Sequence, residues 1–247
     1  MTLPLASAFA FLLVLLRTTG LFLSAPVLSA RVVPARPRLA LALLVAFAVY
    51  CGVGAPAVRA PEHLGALSLA AAAEGALGLL AGLSARFTLL AALSAGHAAS
   101  ISMGVGYGAL LDPSSGAESN SAGELLYTVA QAGAVALGIH REAFAYLARS
   151  VAAFPPGGPL SLHELAARVV WDGTMAAALG ARLALPMLSA VLVGHVVMAV
   201  LGRSASQLNL RTLGFSVAIL AGGGAFYLVA PPAAEMAARA ALQTLAR

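Results

Sequence analysis

From Leu39 to Val58 the chain carries no charged side chain, and comparable runs recur along its length. Leu64 to Leu83 holds a single charge, Glu74, and Phe87 to Leu111 has His97 as its outlier. A helix needs about 20 apolar residues to cross the hydrocarbon core of a bilayer. None of these runs alternates apolar with polar residues, so strands are not expected. In lipid each segment must also satisfy its own backbone, which leaves helix as the solution. Composition points the same way: 61% of the 247 residues are hydrophobic and 9% charged, against about 25% charged in soluble domains. Mean hydropathy is +0.94. The expected fold is all-α, built of kinked, membrane-associated helical hairpins.

Further runs are less regular. Leu3 to Ala30 is broken by Arg17 and Pro26, Leu125 to Ile139 is short, Val169 to Leu201 is long enough to kink at Pro186, and Leu213 to Ala234 closes the series. The opening segment is similar to a signal peptide but lacks a basic start, and Arg17 interrupts its apolar core; it reads as mature chain. All 14 basic residues are arginine and the net charge is +5. With no aromatic–basic interleaving, that charge reads as membrane topology and excludes a nucleic-acid partner. Arg31, Arg36 and Arg38 place the first turn in the cytoplasm. Alternating spans then put Arg86 inside and residues 112–124 outside, and return Arg141, Arg149 and Arg168 inside. The scheme strains at Arg203 and Arg211, which fall outside. The single cysteine, Cys51, lies in an apolar run and reads as a buried, inert thiol.

Small residues recur four apart at Ala92, Gly96, Ser100, Gly104 and Gly108, again at Gly78 and Gly82, and at Gly214, Ala218 and Gly222. Such faces let helix backbones approach closely. Between two apolar runs lies "GVGYGALLDPSSGAESNSAGELL", residues 104–126, with Asp112, Glu118 and Glu124 and no basic residue. Asp-Pro and Ser/Gly clusters signal a turn. A second break, "FPPGGPLS" from Phe154 to Ser161, is the best candidate domain boundary.

Chemistry-bearing patterns are sparse. "GVGYG" does not follow a strand, and the chain has no lysine for a P-loop. His97 and His195 lie in apolar segments without a carboxylate cluster, so they read as core histidines before haem or metal ligands. Arg17, Glu74 and Arg182 are the intramembrane charges, which ordinarily pair or face water. We expect inter-helix or inter-subunit contacts from them, and the same from Asp172. No nucleophile elbow, HExxH or paired-carboxylate motif occurs, so neither catalytic residues, nor a metal, nor a cofactor is expected.

"LLRTTGLFLSAPVLSARVVPARPRLALALL" (Leu15 to Leu44) resembles the opening of the flagellar export-gate family FliR and its injectisome counterpart SctT. The resembling positions are Arg17, Ala25-Pro26-Val27, Val33-Pro34-Ala35-Arg36 and Arg38. "DPSSG" (Asp112 to Gly116) and the step from Ser150 to Gly157 resemble the family's middle. Gln207, Asn209, Gly214 and Phe215 resemble the turn before its last long helix. One departure is "GIHRE", where Ile139 stands between Gly138 and His140. The "DPSSG" loop and the "QLN" turn lean toward the flagellar branch.

The resemblance implies a structural subunit of a hetero-oligomeric protein-export gate in the bacterial inner membrane, at the flagellar basal body or injectisome base. It implies FliP-type, FliQ-type and FlhB-type partner subunits, unfolded exported proteins as cargo, and no cofactor. Residues 1–157 would correspond to a FliP-like part and 158–247 to a FliQ-like hairpin, with helices packed on other subunits. The loop at 104–124 would plug the closed channel through Gly104, Gly106, Tyr107, Gly108, Leu110, Leu111, Asp112, Pro113 and Gly116. Glycine there lowers the cost of rearrangement. The competing reading of the residues is an ordinary exposed turn at the loop, and of the chain a stand-alone secondary transporter or channel.

Overall fold

The computed structural model describes residues 3–29, 34–54, 58, 63–105, 121–158, 162–204 and 210–246. All regular structure among them is helical: α1 (Leu3–Ser24), α2 (Ala35–Gly52), α3 (Leu64–Ser102), α4 (Ser121–Ala136), α5 (Ile139–Ala153), α6 (Leu162–Ser204) and α7 (Leu210–Ala246). Five of these are long and apolar enough to cross a membrane.

The chain forms two compact units. The first takes Met1–Phe87, Val135–Gly173 and Ala240–Arg247. At its centre is α1, whose Leu13, Val14, Leu21 and Phe22 are buried. Helix α2 meets it with a stripe of Ala42, Ala46 and Val49, the i, i+4, i+7 spacing of one helix face. Phe11 packs edge-on against Phe47 and Tyr50, with ring centroids 6.4 and 5.7 Å apart. Phe22 stacks on Phe144 of α5 at 6.3 Å. Against α3 the backbones themselves touch. A Cβ on Gly78 would overlap the Arg17 carbonyl oxygen, one on Gly82 the Ser24 hydroxyl, and one on Gly20 the Gly75 carbonyl.

The second unit takes Thr88–Ala134 and Thr174–Arg239. Its interior is lined largely by alanine, including Ala92, Ala95, Ala99, Ala130, Ala218, Ala237 and Ala238. Again glycines set the spacing. A Cβ on Gly96 would lie 2.6 Å from Gly123 Cα of α4, one on Gly180 would lie 2.6 Å from Ser94 Oγ, and one on Gly222 would strike Met103. The large aliphatic side chains point away instead: Leu185, Leu192, Val193, Leu220 and Leu228 are all more than half exposed.

Four expectations change. Leu64 to Ser102 is one helix rather than two spans turning at Arg86, so the alternating topology built on that turn does not hold. No proline interrupts the stretch, Ser84-Ala85-Arg86-Phe87 continues the helix, and Arg86 lies exposed on it. Helix α7 runs on past Ala234 to Ala246, through Pro231 and Pro232, because 235–246 is rich in alanine, the best helix former. Cys51 is exposed rather than buried, since the face of α2 turned toward α1 is the Ala42–Ala46–Val49 stripe. Gly214, grouped with Ala218 and Gly222 as one close-packing face, has open space around it, whereas Gly78, Gly82, Gly96 and Gly222 make close helix contacts within this chain.

Candidate functional site

Arg17 sits in the C-terminal half of α1 and is 1% exposed; Glu74 on α3 is likewise 1% exposed. Ionised groups taken this far from water need a partner and full hydrogen bonding. They obtain both. Arg17 Nε donates to Glu74 Oε2 at 2.6 Å, Nη1 donates to Ser150 Oγ at 3.0 Å, and Nη2 donates to the Phe154 carbonyl at 3.0 Å. The second carboxylate oxygen, Oε1, accepts the Gly157 N–H at 2.9 Å. The planar guanidinium fork suits such a fixed, multi-point geometry.

The local sequence explains the assembly. Gly78 and Gly20 bring the backbones of α1 and α3 close enough for the side chains at 17 and 74 to meet. Helix α5 stops at Ala153, and Phe154 leaves it with φ −123 and ψ 89, which releases its carbonyl toward Arg17. Pro155-Pro156 have no N–H groups to bond back into the last turn of α5. Gly157 then adopts φ +74, a left-handed conformation that glycine accepts without strain, and its N–H faces Glu74. The pair therefore ties α1, α3, the end of α5 and the 154–157 turn together.

Ser150 and Phe154 also line a cavity of about 260 Å³ in the same unit. Leu77, Leu80, Leu165 and Val169 give it apolar walls, and Glu164, Arg168 and Asp172 of α6 line it with charge.

The other singled-out residues lie elsewhere. Arg182 is exposed on α6 and joins no ion pair among the described residues. Gly104 ends α3 with φ +82; its N–H bonds the Ile101 carbonyl and the Val105 N–H bonds the Ser100 carbonyl, the paired bonds of a Schellman stop. Gly106, Tyr107, Gly108, Leu110, Leu111, Asp112, Pro113 and Gly116 lie outside the described residues. His97 packs on Gly123, but its Nε2 is buried without a hydrogen-bond partner among the described residues, unlike the satisfied core histidine expected. His195 is exposed. No three His, Cys, Asp or Glu side chains gather into a metal site among the described residues. Sequence reading gave no role to Ser150, Phe154 and Gly157, although the Ser150–Gly157 step stood out. It also missed Glu164 and Arg168 as cavity residues; their only signal is an acid–base–acid row at i, i+4, i+8.

Long apolar helices closed over a buried ion pair define a helical protein of the membrane. Its family is specific: the chain belongs to the bacterial export proteins, family 1, whose pattern matches residues 8–244, nearly the whole chain. This is the FliR/SctT/HrcT family, structural components of a multi-subunit protein-export apparatus. No individual curated protein matches the chain.

Proposed function

We propose that this chain is a pore-forming subunit of the flagellar or type III export gate, assembled with FliP-type, FliQ-type and FlhB-type subunits in the bacterial inner membrane at a basal body or injectisome base. Unfolded exported proteins would pass along it, with residues 1–157 acting as the FliP-like part and 158–247 as the FliQ-like hairpin. The observation that carries this reading is the family match over 8–244. Helix length supports it. At 1.5 Å per residue α3, α6 and α7 reach roughly 58, 64 and 56 Å if straight, against about 30 Å of hydrocarbon core. Helices that overrun a bilayer so far need protein beside them, and the exposed aliphatic rows on α6 and α7 offer it a surface.

The loop counted as 104–124 then serves as the plug of the closed pore, less residues 121–124, which form the first turn of α4. Gly104 supports this by stopping α3 at the point where the loop begins. Deleting residues 107–118 in the assembled complex tests it. The expected result is normal assembly with leakage of small ions across the membrane. Unchanged conductance in a correctly assembled complex would remove the plug from the account.

A further inference from the structure

The cavity behind Ser150 and Phe154 is not needed by the ion pair, and nothing in the export role assigns it an occupant. Its chemistry is two-sided. Leu77, Leu80, Ala81, Leu165, Val169 and Leu245 make apolar walls, while Ser84, Tyr146 and Thr244 also line the space. Glu164, Arg168 and Asp172 follow one another at four-residue steps along α6, about 6 Å apart in rise, and all three line the cavity. None of them joins an ion pair or hydrogen bond with another described residue. Asp172 is half-buried, and Glu164 and Arg168 are exposed.

We propose that the cavity binds the headgroup of a phospholipid carrying a free amine, a phosphoethanolamine. Its phosphate meets the Arg168 guanidinium. Its ammonium, two carbons away, donates to Glu164 or Asp172 on either side, and the Tyr146 hydroxyl donates to a remaining phosphate oxygen. The alternating row suits a zwitterion; an anionic headgroup would meet two carboxylates for each arginine. The acyl chains lie against apolar wall residues that are still open to the outside: Phe154, 55% exposed, and the half-buried Leu80, Leu165 and Val169.

The full chain, reconstituted in nanodiscs of equal parts phosphatidylethanolamine and phosphatidylglycerol and released into mild detergent, is read by native mass spectrometry. Phosphatidylethanolamine should be retained in preference to phosphatidylglycerol. Arg168→Gln, and separately the double change Glu164→Gln with Asp172→Asn, should each lower retention roughly tenfold, the effect of losing one charge-assisted contact. Ala81→Phe, which fills the cavity and leaves every charge in place, should abolish it, and Arg182→Gln should not change it. Equal retention of both lipids, retention unaffected by Ala81→Phe, or a photo-crosslinker at Val169 that captures polypeptide in place of lipid would each overturn the proposal.

Discussion

At Arg17 the guanidinium has one donor on each nitrogen satisfied, and both oxygens of Glu74 are occupied. Such a pair contributes little net stability over a well-packed apolar substitute, but breaking it strands a charge at a cost of about 3–5 kcal/mol. Glu74→Gln is therefore expected to lower unfolding stability by roughly that amount, measured by denaturation in detergent, while Arg17→Met combined with Glu74→Met loses less than either single change. A double change as damaging as the sum of both would mean the two residues act separately. Val27, a β-branched residue at φ +72, is a second test. Val27→Gly should raise stability by about 1 kcal/mol by removing backbone strain. Arg17 and Glu74 were legible in the sequence because a charge in an apolar run has few physical options. The Phe154 carbonyl and the Gly157 N–H were not. Every residue has a backbone, and only the fold shows which carbonyl and which N–H lie free.

Among the helices, the apolar runs gave the class of structure and most element centres, while the joints were harder to read. Arg86 suggested a turn, yet α3 passes through it, because one exposed arginine on a helix otherwise free of breakers can extend to the surface. The last apolar run suggested an end at Ala234, yet the alanine-rich stretch beyond it stays helical and packs Ala237, Ala238 and Ala241 inward. Close helix contact was foreseen at Gly78 and Gly82, but not that α1 of the same chain would fill it. Gly78→Leu is expected to drive α1 from α3 and to destabilise the chain by more than about 3 kcal/mol, the upper range for overpacking. Gly223→Ala, with nothing within 4 Å of the added methyl, should be neutral or stabilise by up to about 1 kcal/mol. Thermal unfolding of the two variants side by side separates packing from propensity.

Over the whole molecule, close backbone approach at Gly20, Gly78, Gly82, Gly96 and Gly222 is met within the chain, and the aliphatic bulk faces out at Leu192, Val193, Val200, Leu220 and Leu228. That surface must be covered by lipid or by protein, and the export family to which the chain belongs favours protein for much of it. The most direct measurement is mild-detergent extraction after co-expression with FliP-type and FliQ-type subunits, followed by size-exclusion chromatography and mass determination. The chain should elute in one stoichiometric assembly with those subunits and aggregate or degrade when expressed without them. A monodisperse, stable chain that ignores those subunits and moves a small solute across vesicles would contradict the account.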